Sequence, residues 1–182
     1  MNKLHEFTAM ICGVFDNKRQ YEQEEQHGSV IHPRARRTIR PCNDSIINLG
    51  EAFNGFFVLE DNEYTTPKKT TTFQHLFLFD INDEGKIRLT SYEVPTATDA
   101  NENGPFDYKQ LKVSSKFTPL IYEEDEGEYW GESVSHFSPI TTFTLWMHVT
   151  STRLFVNEVF ENNGTRIIGY DEPIIYDKIK PL

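Results

Sequence analysis

The chain has 182 residues, 18 basic against 28 acidic side chains, a formal net charge of −10, and 14 Phe, 8 Tyr and 2 Trp. That length suits one domain with a core of its own, and the acidic balance argues against non-specific nucleic-acid binding. No apolar run reaches the ~18 residues of a membrane span, and two cysteines make neither a disulfide framework nor a four-thiolate zinc site.

His5 and Glu6 interrupt residues 1–15 as a signal-peptide core, so the expected location is the cytoplasm. Leu4, Phe7, Ile11, Val14 and Phe15 follow the spacing of one apolar helix face. Asn2 is a candidate cap, and the spacing predicts a helix over about residues 2–25, ending before Gly28.

Beyond Gly28 the period changes to 2. Runs at 56–60, 73–81, 86–94, 117–123, 128–134, 140–149, 154–161, 165–170 and 173–179 read as strands. Three acidic or amide turns end in Gly85, Gly127 and Gly164, the chemistry of hairpins. The pattern indicates an antiparallel sandwich or barrel. In 141–149, Phe143, Leu145, Met147 and Val149 share a dry face, and Trp146 and His148 share a mixed one. The 73–81 run is apolar on both faces, which suits cover by the barrel interior and the N-terminal helix. Phe56, Phe73, Phe77, Phe79, Phe143, Trp146, Phe155 and Phe160 are the expected inward aromatics, and residues 61–72 and 95–105 the expected loops.

Phosphate-loop, nucleophile-elbow and zinc-protease motifs are absent from the sequence. His27 and His32 are the nearest histidine pair and read as loop or strand-start residues, not metal ligands. Ser135 and His136 are strand neighbours that point to opposite faces, which argues against a hydrolytic dyad. Arg34, Arg36, Arg37 and Arg40 cluster, and on a strand Arg34, Arg36 and Arg40 share a face. Such donors suit an anionic ligand or internal pairing with the acidic surplus. Glu60 ends an apolar run, either turned to water or placed at a cavity rim where partial burial would raise its pKa for proton transfer. His75 interrupts a Phe-rich strand, as a rim residue or a ligand contact.

Several patches, in order, resemble the CpcT/CpeT family of phycobiliprotein lyases. Phe15, Asn17 and Gln20 stand at the spacing of its F-x-N-x-x-Q stretch. Arg36 and Arg40-Pro41 resemble the end of its first strand, Glu60 its Y-x-E-Q pattern, and Ile87, Leu89 and Tyr92 its I-x-L-x-x-Y stretch. Residues 157–169 are similar to its D-R-G-F-D-x-x-G-x-x-V-W-G run through Phe160, Gly164 and Gly169, with Glu161 and Ile167 as conservative changes. The chain departs at Phe73-Gln74-His75-Leu76, which lacks both arginines of P-Y-R-x-R, and at Asp61, Asn157 and Glu158.

The resemblance implies a mainly β, calycin/lipocalin-like antiparallel β-barrel with an N-terminal α-helix. It implies a lyase that binds a bilin, phycocyanobilin or phycoerythrobilin, as substrate and aids its thioether attachment to a phycobiliprotein cysteine. Glu60 is then the catalytic candidate, and Arg36, Arg40, Tyr64, His75, Tyr92 and Trp146 are the ligand-binding ones. No intrinsic cofactor or metal is expected, and exposed edge strands are compatible with a homodimer. The alternatives are a non-catalytic lipocalin-like carrier of another amphipathic ligand, and a filled interaction barrel. The filled barrel predicts no cavity above roughly 300 Å³.

Overall fold

The computed structural model describes residues 3–95 and 105–182. The expected Asn2 cap and most of the 95–105 loop lie outside the described residues. The chain opens with α1 (Lys3–Ile11), β1 (Gly13–Asp16) and α2 (Lys18–Gln26). The helix expected over 2–25 is therefore two helices split by a strand. Gly13 explains the split, because a Cβ there would stand 2.9 Å from the Lys180 carbonyl oxygen. A bare backbone lets the chain slip between its neighbours as a strand, and Val14 and Phe15 are buried in the sheet instead of along a helix face.

The remaining strands are β2 (Arg34–Pro41), β3 (Ile46–Ile47), β4 (Gly55–Thr65), β5 (Thr70–Ile81), β6 (Ile87–Tyr92), β7 (Phe106–Asp107) and β8 (Leu120–Ile121). They continue as β9 (Glu123–Asp125), β10 (Glu128–Ser138), β11 (Thr141–Val149), β12 (Arg153–Asn162), β13 (Thr165–Ile168) and β14 (Ile174–Pro181). Gly85, Gly127 and Gly164 take φ of 75°, 79° and 70° at the expected hairpin turns. The expected 61–72 loop is mostly strand. β4 and β5 pair from Thr65 and Thr70 inward, since β-branched threonines favour extended pairing.

Antiparallel neighbours follow the order β8-β6-β5-β4-β2-β1-β14-β12-β11-β10-β9. β8 pairs with β6 and β9 with β10, so one segment joins both ends of the sheet and nearly closes a calycin-type barrel. Gly131 permits the closure, because a side chain there would run into the Ile121 carbonyl.

Inside, α1 plugs one end. Phe7 is fully buried, with its ring 4.9–5.1 Å from Tyr122, Tyr129 and Phe79. The doubly apolar β5 is covered twice, but not by the expected outer helix. Its Phe79 meets α1 inside the barrel. Its Leu76 and Leu78 belong to a second cluster outside, with Cys42, Ile46, Phe57 and Phe106. Trp146 and Phe155, expected inward, lie on the outer face, because Phe143, Met147, Leu154 and Val156 take the alternate inward positions.

Candidate functional site

β2, β4 and β12 each carry a charged residue at an inward position, flanked by apolar residues on β2 and β12 and by Val58 and Asn62 on β4. Arg37 lies between Ala35 and Ile39, Glu60 between Val58 and Asn62, and Glu158 between Val156 and Phe160. Alternation forces these three side chains into the barrel. Arg37 Nη1 donates to Glu60 Oε1 at 3.1 Å, and Nη2 donates to Glu158 Oε1 at 3.0 Å and to the Tyr64 hydroxyl at 2.8 Å. Tyr64 Oη donates in turn to Glu158 Oε2 at 3.1 Å, and Asn62 Nδ2 donates to Glu60 Oε1 at 2.9 Å. The guanidinium carbon lies 5.2 Å from the centre of the Tyr176 ring. Arg37 and Glu60 side chains are each 3% exposed, and Glu158 is 36% exposed.

This cluster sets one cation against two carboxylates. Burial opposes the charge on Glu158, but Arg37, with further help from His75 and the Tyr64 hydroxyl, outweighs it and holds the carboxyl below its ordinary range. Burial drives the Tyr64 hydroxyl well up, so it stays protonated and donates. Arg37 is held charged by its acidic and phenolic neighbours against the cost of burial.

The cluster faces a cavity of about 60 Å³. Phe77, Phe79, Phe143 and Met147 supply its apolar wall, and His75, Ser91 and Ser133 join the charged residues on its polar side. At the end opposite α1, Phe117, Phe137, Phe143 and Phe160 crowd together with ring centroids 4.6–6.1 Å apart.

Of the expected site residues, Glu60, Tyr64 and His75 come together inside the barrel. Glu60 is a buried, ion-paired residue within β4, not a strand end turned to water. The other four lie outside. Arg36 lines an open groove of about 900 Å³ over β2, β4 and β5, beside Asp61, Phe73 and Gln74. Arg40 pairs with Asp61, whose other oxygen accepts from Gln74. Tyr92 stands edge-on to Phe57 in the outer apolar cluster at 5.2 Å, and Trp146 faces outward beside His148.

Arg37 and Glu158 are the site residues that the sequence reading passed over. The signal that finds them is a charge inside an apolar alternation, Ala35-Arg37-Ile39 and Val156-Glu158-Phe160. Asn17 and Gln20 brace the fold. Asn17 accepts from Ala35 N and donates to Pro33 O, while Gln20 accepts from Ile175 N and donates to Pro173 O.

Among the described residues no group of three or more His, Cys, Asp or Glu is arranged to hold a metal ion. No described helix is long and apolar enough to cross a membrane. Fold and site together define a nearly closed antiparallel barrel with an acid–base cluster facing a small apolar cavity. No protein-family model matches the chain, and no curated protein matches it.

Proposed function

We propose that this protein is a ligand-handling barrel of the CpcT/CpeT type. It takes a linear tetrapyrrole, or another extended amphipathic molecule with N–H donors, and holds it for attachment to a phycobiliprotein cysteine in the cytoplasm. The observation that carries the reading is the Arg37–Glu60–Tyr64–Glu158 cluster beside a Phe-lined cavity. A barrel that needs only filling gains little from a buried ion pair, since apolar residues of equal volume serve stability as well. With carboxylates in excess, the cluster suits pyrrole N–H donors better than a carboxylate-headed lipid.

In this mechanism Glu158, the more accessible carboxylate, accepts the ligand's N–H groups. Arg37 fixes both carboxylates in place, and one of them takes the proton of the acceptor thiol and passes it to a ring-system carbon as the sulfur adds across the double bond. The nucleophile is the acceptor's thiolate. The protein's own Cys12 and Cys42 are buried, and burial pushes both thiols up to about 12. A cavity of about 60 Å³ admits only a few waters, so ligand entry requires the segment bearing Phe117 to swing away from the mouth.

Addition of micromolar phycocyanobilin to the purified protein tests the proposal. A saturable change in the pigment's visible absorbance is the expected result, and an unchanged spectrum opposes it. The small cavity favours a second reading, a filled interaction barrel, because it lies below the roughly 300 Å³ of ordinary ligand sites. Native mass spectrometry of freshly purified protein separates the two. A co-purified ligand mass supports the first reading. The bare chain, together with an unchanged bilin spectrum, supports the second.

A further inference from the structure

A buried hydroxyl without a hydrogen-bond partner weakens a fold, so interior serines and threonines are normally paired. Thr8 and Ser135 follow that rule. Thr8 Oγ1 donates to Leu4 O at 2.7 Å, and Ser135 Oγ accepts from Thr118 N at 2.9 Å. Ser91 and Ser133 break it. They are 8% and 7% exposed, and neither hydroxyl bonds any described residue.

Both serines line the cavity that the charged cluster faces. Alternation along β6 turns Ser91 inward after Ile87 and Leu89, and alternation along β10 turns Ser133 inward between Gly131 and Ser135. In the order of strands, β6 stands two places from β4, and β10 two places from β12, beside the seam of β8 and β9. The hydroxyls therefore enter the cavity from the seam, whereas the carboxylates enter from β4 and β12. β5 and β11 lie between and bring Phe77, Phe79, Phe143 and Met147. A core that needed only volume at residues 91 and 133 would be served by alanine, with no unpaired oxygen to bury.

We propose that Ser91 and Ser133 are the second polar contact of the ligand and set its chemical class. Ionised carboxylates only accept, whereas a hydroxyl also donates, so the serines serve the ligand's oxygens. The ligand is then a flat conjugated molecule with N–H donors toward Glu158 and a carbonyl oxygen toward the seam. Its rings lie among the aromatic side chains of β5 and β11. A hydrocarbon or plain lipid chain would leave both hydroxyls unpaired, which is how a site built for hydrogen bonding rejects an analogue that lacks them. This inference rests on the reading that the interior carboxylates receive the ligand's N–H groups.

Absorbance titration with phycocyanobilin, and with its 1,19-dideoxy analogue that lacks the terminal lactam oxygens, reads the contact. Ser91→Ala/Ser133→Ala is expected to bind phycocyanobilin about tenfold more weakly than the wild type and to bind the analogue as the wild type does. Its urea midpoint is expected to be no lower, because neither hydroxyl has a partner to lose. Equal phycocyanobilin affinities in the two proteins overturn the inference, and where wild-type binding still depends on Glu158 the interior site itself stands. An equal loss for both ligands also overturns it, since that reports a reshaped cavity and not a contact to the oxygens. No binding of phycocyanobilin to the wild type overturns the underlying reading and this inference with it.

Discussion

Arg37 lies within 3.1 Å of two carboxylate side chains, and the Glu60 side chain is only 3% exposed. Arg37→Met would leave Glu60 buried without its cation, a change that costs roughly 3–5 kcal/mol. Urea denaturation is expected to show that loss, and the double variant Arg37→Met/Glu60→Leu to recover most of it. Glu158 makes a different prediction, about pH. Its folded pKa lies below the ordinary value of 4.5. Between the two values the unfolded chain binds more protons, so stability rises with pH there. The contribution is present above 4.5 and is lost as pH falls through the folded pKa. Melting temperature measured from pH 6 downward is expected to fall less steeply below about 4.5 in Glu158→Gln than in the wild type. Cys12 and Cys42 predict silence. Burial raises both thiols, so neither reacts with a thiol reagent at neutral pH until the barrel unfolds.

Strands and their turns are the most legible elements, because alternation and turn chemistry act over a few residues. Each of the nine expected runs contains or overlaps an observed strand. The break between α1 and α2 is not legible locally, because Val14 and Phe15 continue a helical spacing. What decides their state is Lys180, far along the chain, whose carbonyl leaves no room for a side chain at residue 13. The outer cover of β5 is hidden for the same reason, as it comes from remote segments around Ile46 and Phe106. The interior cluster was half legible. Glu60 stood out against four apolar residues, whereas Arg37 was masked by three neighbouring arginines on the opposite face. Gly169 has a structural duty beside the cluster. It takes φ +110°, and a Cβ would stand 2.5 Å from the Glu158 carbonyl oxygen. Gly169→Ala is expected to cost roughly 1–3 kcal/mol in thermal unfolding and to displace β12 beside the cluster.

Across the whole molecule the aromatic surplus gathers in four places, one of them the outer cluster of Phe53, Phe57, Tyr92 and Tyr108. Phe7, Phe79, Tyr122 and Tyr129 lock α1 into one end of the barrel, and Phe117, Phe137, Phe143 and Phe160 crowd the other. Trp130, His148 and Phe155 line the outer wall. A barrel with aromatic packing at both ends and a charged cluster between them leaves a cavity too small for a tetrapyrrole until the rings at the mouth move. Phe117→Ala is therefore expected to speed bilin association in stopped-flow absorbance while leaving the fold intact by circular dichroism. The central claim is that the interior carboxylates, not the outer groove at Arg36, receive the ligand. An equilibrium absorbance titration of phycocyanobilin into wild type and Glu158→Gln tests it most directly. The account predicts saturable binding to the wild type and at least about tenfold weaker binding to the variant, the scale of a lost hydrogen bond to a charged group. Equal isotherms for the two proteins, or no binding to either, would contradict it.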